Sequence, residues 1–271
     1  MRNLHDFLVD AFYGIYKLFF DGIESSIQIF NSDLAVIPQV QQMMESVADV
    51  IQPICYTIAG IFFMIELLSL LKKEEVTEQD VFVMLIHLGL ARFIIYYAPQ
   101  LLNLLNITGN YWISKISVDS LDQSMLVEIK QTIADAIPKV TGGIWNWIGI
   151  TILQLCISLA FLFNSVVLLV TYIVVMALAY ARNFELVILT AISPIPFCFV
   201  PFSGTKEITK KFILAYAAVS LQGVIAMIVF SLYVAVMSSA NTIINITIVS
   251  IVLMIGIVKS GSWAKEVLGL G

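Results

Sequence analysis

The first thirty residues alternate apolar and polar positions in a way the rest of the chain does not. Leu4, Phe7, Leu8, Phe12, Ile15, Leu18, Phe19, Ile23, Ile27 and Phe30 recur at three- and four-residue spacing, while Asp6, Asp10, Lys17, Asp21, Glu24 and Gln28 fall mostly on the other side. This pattern predicts an amphipathic helix over 4–30. It either packs on the rest of the protein or lies in a membrane interface with its phenylalanines in the acyl boundary. Residues 50–71 read as a first membrane span, with Pro53 in its opening turn and Lys72-Lys73 at its end. Thr77 is placed to cap the next helix, with Asp80 in the capping-box position. Residues 81–105 then form a second span carrying His87 and Arg92. A charge at membrane depth needs protein, water or an opposite charge beside it. Glu66 in the first span and Arg92 in the second are therefore a candidate intramembrane polar pair.

Residues 106–142 make a polar connection. Within it Ser120 and Gln123 have capping-box spacing, and Leu121, Met125, Ile129, Ile133 and Ile137 predict a short helix ending at Pro138. From Gly143 to Pro201 the chain runs 59 residues with two charges, Arg182 and Glu185. As a helix this stretch would reach about 88 Å, against about 30 Å of bilayer core. Between Gly149 and Arg182 there is no glycine, proline or charge, and Asn164-Ser165 is the one weak turn signal. The pattern predicts one overlong helix from 143 to about 181. A proline-broken segment over 184–202, holding Ser193-Pro194-Ile195-Pro196, would dip into the membrane and return. Lys206, Lys210 and Lys211 follow, then spans at 212–237 and 242–258, and Lys259 and Lys265 in the tail.

Composition agrees with this reading. The chain is 60% hydrophobic and 12% charged, with a mean hydropathy of +0.96, about half the charge of a soluble domain. The expected fold is an all-α polytopic membrane bundle of about five spans, with one overlong helix, a re-entrant segment and an N-terminal amphipathic helix. Residues 1–49 form an extracytoplasmic or interfacial region, and 50–271 the transmembrane bundle with an extracytoplasmic loop at 106–142. Arg2, His5, Asp6 and Asp10 interrupt any signal-peptide core, so a cleaved signal is not expected. Cys55, Cys156 and Cys198 read as apolar fillers. The net charge of −5 leaves no basic footprint for tight nucleic-acid binding.

Lys and Arg set orientation. Placing Lys72/Lys73, Lys206/Lys210/Lys211 and Lys259/Lys265 in the cytoplasm puts the N-terminus outside and the C-terminus inside. Residues 143–205 then cross an odd number of times: once, for five crossings in all, or three times, for seven.

Catalytic signatures are absent: no H-E-x-x-H, no P-loop, no intramembrane aspartate pair and no serine-nucleophile motif. Neither an enzyme nor a cofactor is expected. The membrane-depth polar set is thin for a secondary transporter, and no glycine-rich loop suggests an ion filter.

The segment A-R-N-F-E-L-V-I-L-T-A-I-S-P-I-P-F-C-F-V-P-F, followed by T-K-E-I-T-K-K-F-I-L-A-Y-A-A-V-S-L-Q, resembles the TrbL-like polytopic inner-membrane subunits of bacterial type IV secretion and conjugation systems. In that family a long apolar helix leads into an Ala/Ser-Pro step, a short basic linker and an amphiphilic span. The likeness covers about residues 50–260 and rests on pattern rather than on invariant residues. The chain would be a minimal version without added soluble domains, possible for a Gram-positive element. The resemblance implies a non-enzymatic channel or scaffold component of the bacterial cytoplasmic membrane. It would work as a homo-oligomer with other channel subunits, membrane lipid and cytoplasmic ATPases, and pass single-stranded DNA or protein. Pro194 and Pro196 are then candidates for a hinge or pore-lining bend. Arg182, Glu185, Lys206, Lys210 and Lys211 are candidate cytoplasmic partner contacts, although Arg182 and Glu185 can equally pair along one helix face. Two other classes remain open, a small-solute permease or transporter subunit and a structural scaffold of another assembly.

Overall fold

The computed structural model describes residues 4–32, 37–72, 77–116, 123–138, 144–200, 202, 204–237 and 243–270. The described residues form helices α1 (Leu4–Asn31), α2 (Pro38–Leu71), α3 (Glu78–Lys115), α4 (Gln123–Ala136), α5 (Ile144–Ile192), α6 (Pro194–Phe197), α7 (Lys206–Met237) and α8 (Ile243–Val267), with no strand among them. Five of these, α2, α3, α5, α7 and α8, are long and apolar enough to cross a membrane.

Local chemistry sets most of the boundaries. At the start of α3 the capping box is formed: the Asp80 amide donates to Thr77 Oγ1 at 3.3 Å, and the Thr77 amide donates to Asp80 Oδ2 at 3.2 Å. Ser120 lies outside the described residues. Helix α2 begins at Pro38 behind an extended Ile37, twelve residues ahead of the expected span. Pro53 is therefore interior to the helix, not in its first turn. The expected loop is helical over its first ten residues, because α3 continues to Lys115 with Thr108 bonding back to Leu104 O at 2.9 Å.

Helix α5 runs 49 residues without interruption, about 73 Å. Asn164-Ser165 makes no turn, since the Ser165 hydroxyl bonds back to Phe161 O at 2.8 Å. The helix also passes through Arg182-Asn183-Phe184-Glu185, where the sequence predicts its end. Those residues carry backbone N–H groups and nothing there stops the ladder; Pro194 is the first that cannot donate. The chain then descends through tight turns, with Ser193 N donating to Thr190 O at 3.3 Å, Phe199 N to Pro196 O at 3.4 Å and Val200 N to Phe197 O at 3.2 Å. Freed carbonyls are covered by side chains: Thr209 Oγ1 donates to Pro196 O, and Thr205 Oγ1 to Phe199 O at 3.2 Å.

Two compact units divide the chain. The first comprises Met1–Asn31, Ser114–Tyr180 and Ile225–Ser260, and the second Ser32–Ile113, Ala181–Val224 and Gly261–Gly271. In the first unit the apolar stripe of α1 packs on protein, with Tyr16, Ile23 and Phe30 fully buried. Phe12 stacks on Phe161 at 4.9 Å, and Phe30 meets Phe230 edge-on at 5.9 Å. Asn164 Nδ2 donates to Tyr16 Oη at 2.8 Å. Gly22 leaves room for the Tyr172 ring, which a β-carbon would overlap. On the polar side, Lys130 pairs with Asp10 at 3.2 Å and lies over the Tyr13 ring, fastening α4 to α1. Along this stripe α1 packs on protein, while Phe7 and Leu18 stay exposed.

In the second unit α6 is the keystone. One cluster joins Cys55 and Ala59 of α2, Ala91 and Ile95 of α3, and Cys198 and Phe202. The other joins Ala98 and Leu102 of α3, Leu186 of α5, Phe197 of α6, and Tyr216 and Val219 of α7. Phe62 packs on Phe199 and Phe202 at 5.4 and 5.3 Å. Small residues let the backbones approach: Gly109 of α3 faces the Ser220 hydroxyl of α7, where a β-carbon would overlap it. Close packing of this kind, rather than water exclusion, holds helices together inside a membrane.

The fold also joins two cysteines 143 positions apart in sequence. Cys55 and Cys198 are both buried in one packed cluster, while Cys156 is exposed and separate. Mild oxidation of the native protein with copper–phenanthroline should therefore form one intramolecular disulfide, the two thiols giving up two electrons and two protons to the oxidant. Maleimide titration after denaturation should then count one free thiol instead of three. A count of three would show that α2 and the segment after α6 do not meet as described.

Candidate functional site

A polar cavity of about 620 Å³ lies in the second unit. Four helices build it, each through one face. Helix α2 supplies Gln41, Glu45, Asp49 and Gln52, α3 supplies Tyr96, Gln100, Asn103 and Asn106, α5 supplies Asn183, Leu186 and Thr190, and α7 supplies Tyr216. The spacings of three and four residues within each set are those of a single helical face. Glu45 and Asp49 are exposed, whereas Asn106, Asn183, Thr190 and Tyr216 are buried. The lining thus grades from two carboxylates at the rim to neutral amides and hydroxyls at the floor.

The floor is held by hydrogen bonds. Thr190 Oγ1 donates to Leu186 O at 2.8 Å and lies 3.2 Å from Tyr216 Oη. Asn183 Nδ2 donates to Ser32 Oγ at 3.4 Å, and Asn183 Oδ1 accepts from Arg182 Nη1 at 3.1 Å. Arg182 stands behind this floor at 1% exposure. Its Nε donates to Val219 O at 3.3 Å and its Nη2 to Ser220 O at 3.4 Å. Gly223 makes that position possible, since a β-carbon there would stand 2.6 Å from Arg182 Cζ. The guanidinium thereby ties α5 to the α7 backbone and orients Asn183 into the cavity. The arrangement can hold a polar or cationic group through carboxylates at the mouth and carboxamides within. It presents no nucleophile set against a base, and among the described residues no three His, Cys, Asp or Glu converge on a metal position.

Several sequence-derived positions fall differently. Glu66 Oε2 lies 3.8 Å from His87 Nδ1, not beside Arg92, which is exposed. Arg92 sits five residues beyond His87 on α3, about 7.5 Å further along and about 140° further round, so one rotamer of Glu66 cannot serve both. Arg182 turns inward while Glu185 is exposed, so the pair predicted along α5 is replaced by bonds to Asn183 and α7. As a buried group Arg182 offers no surface to a partner. Pro194 and Pro196 are both buried, packed within the unit.

Lys206, Lys210 and Lys211 are exposed on the opening turns of α7. Arg182 meets that helix at Val219, Ser220 and Gly223, about 20 Å further along it. The expectation of one mouth shared by residues 182–211 is therefore corrected, because Arg182 and the lysines occupy opposite ends of the second unit. Likewise Gly261 lies against Gln222, about 24 Å along α7 from Lys206, so the tail does not begin at the lysine end.

The cavity is not legible in the sequence because its residues are divided among separately assigned stretches, with Gln41, Glu45 and Asp49 in the N-terminal region, Tyr96, Gln100 and Asn103 in the second span and Asn106 in the loop. The available signal was the recurrence of Gln41, Glu45, Asp49 and Gln52, and of Tyr96, Gln100, Asn103 and Asn106, on single helix faces. No family model matches the chain, and neither a curated protein nor a solved structure matches it.

Proposed function

We propose that this chain is a membrane-embedded channel or scaffold component of a type IV secretion machine in a bacterial cytoplasmic membrane, assembling as an oligomer with partner ATPases that drive transfer of DNA or protein. The observation that carries this reading is the run from α5 through α6 into α7. An overlong apolar helix stops at Ser193-Pro194, a buried proline-bearing turn follows, and an apolar helix with lysines in its first turns begins at Lys206. This is the order of features on which the TrbL-like resemblance rests. Five apolar helices support a multi-pass subunit. The polar cavity favours a second reading, a small-solute permease, because a pocket of this size edged by carboxylates suits a small polar or cationic solute.

Pull-down of the tagged chain from native membranes in mild detergent separates the two. The secretion reading expects co-purified secretion ATPases, and expects deletion to abolish conjugative transfer without slowing growth. Recovery of no such ATPase, with substrate uptake by proteoliposomes holding this chain alone, would replace it with the permease.

A further inference from the structure

We propose that the groove between α3 and α7 is a specific site for an anionic phospholipid. The inference rests on the membrane reading of the five apolar helices and not on the secretion reading. The groove encloses about 530 Å³, with Lys206, Lys210 and His87 toward one end and Leu90, Ile213 and Leu214 toward the other. Lys206 and Lys210 are four apart and stack on one face of α7. Lys211, about 100° round the helix, does not line it.

Stability of the fold does not explain these lysines. Cations on the first turns of a helix oppose its dipole, and among the described residues neither Lys206 nor Lys210 forms an ion pair. No carboxylate lines the groove. Among the described residues, acidic groups on the neighbouring elements include Glu66, beside His87 at 3.8 Å, and the exposed Glu207 on α7. Thr209, between the lysines, already donates to Pro196 O and belongs to the wall.

The groove therefore grades from cationic to apolar over the eight residues from Lys206 to Leu214, about 12 Å. A phosphodiester with acyl chains attached has the complementary gradient over that length. A free phosphate would leave the apolar end uncovered, and a zwitterionic lipid would bring a choline or ethanolamine cation against two ammonium groups. Basic recesses between membrane helices are a known physical basis for such recognition.

The test is native mass spectrometry of the delipidated, detergent-purified chain with equimolar dioleoyl phosphatidylglycerol and dioleoyl phosphatidylcholine. Wild type should retain the anionic lipid about tenfold more, the preference expected of two charge-assisted contacts. Lys206→Gln with Lys210→Gln should bring the ratio near one, while Lys211→Gln should leave it unchanged. Glycerol phosphate at millimolar concentration should not displace the lipid. Both substituted side chains are exposed, so the double variant should melt with wild type when lipid is absent. Equal retention of the two lipids by wild type, an equal loss in Lys211→Gln, or displacement by glycerol phosphate would each overturn the site.

Discussion

Arg182→Ala should destabilise the protein by about 3 kcal/mol, among the largest effects of any single truncation in the second unit. The substitution removes a fully buried side chain and leaves a void between α5 and α7. It also takes one hydrogen-bond donor each from Val219 O, Ser220 O and Asn183 Oδ1. Arg182→Lys should recover part of the loss, because one ammonium cannot reproduce a planar fork that reaches three acceptors.

The complementary change is Gly223→Ala. Its β-carbon would stand 2.6 Å from Cζ and 2.7 Å from Nε and Nη2, an overpacking worth about 1–3 kcal/mol. In the Arg182→Ala background that clash has no partner, so the two changes should be non-additive by about 1 kcal/mol or more. Thermal or denaturant unfolding in detergent measures all four proteins. A surface role for Arg182 makes the opposite forecast, with each change near zero and the pair additive; that outcome would remove the guanidinium from the core.

Nothing close to Arg182 in the sequence marks its inward direction. Apart from Asn183 and Glu185 its neighbours on α5 are apolar, so periodicity gives no sign of which face is inward. The direction is decided by Gly223, forty-one residues later. The same holds for Cys55 with Cys198, and for Glu66, which lies beside His87 of the next helix and not beside Arg92. Only the register of the α2–α3 hairpin selects His87. Features that depend on a few adjacent residues were legible: the Thr77–Asp80 box, a break in the chain at Pro194 and Pro196, and the apolar stripe of α1. The length of α5 was legible in kind but not in extent. A run without glycine or proline has no internal stop signal, and the polar residues at 182–185 do not break a hydrogen-bond ladder. The candidate cavity was legible one helical face at a time. Its assembly from four elements was not, since no short-range pattern records which faces meet.

Cysteine-accessibility labelling should give an all-or-none answer on how the second unit sits in a membrane. His87 and Asn106 are 19 residues apart on α3, about 28 Å, which is close to the thickness of a hydrocarbon core. The lysine groove lies at one end of that interval and the carboxylate-rimmed cavity at the other. The lysine count expects the end with Lys72, Lys206, Lys210 and Lys211 in the cytoplasm, which would put the cavity on the outer face. In a chain whose native cysteines are replaced, Glu45→Cys should react with an impermeant maleimide added to intact cells. Thr205→Cys should react only after permeabilisation. Ser262→Cys should react with the outer set, because Gly261 packs against Gln222 at the far end of the α7 segment from Lys206. This last position separates the geometry from charge counting, since Lys259 and Lys265 taken alone would put the tail in the cytoplasm. Labelling of Glu45→Cys and Thr205→Cys from one side would mean that the unit does not span the bilayer along α3. Labelling of Ser262→Cys with Thr205→Cys would mean that α8 leaves α7 before Gly261.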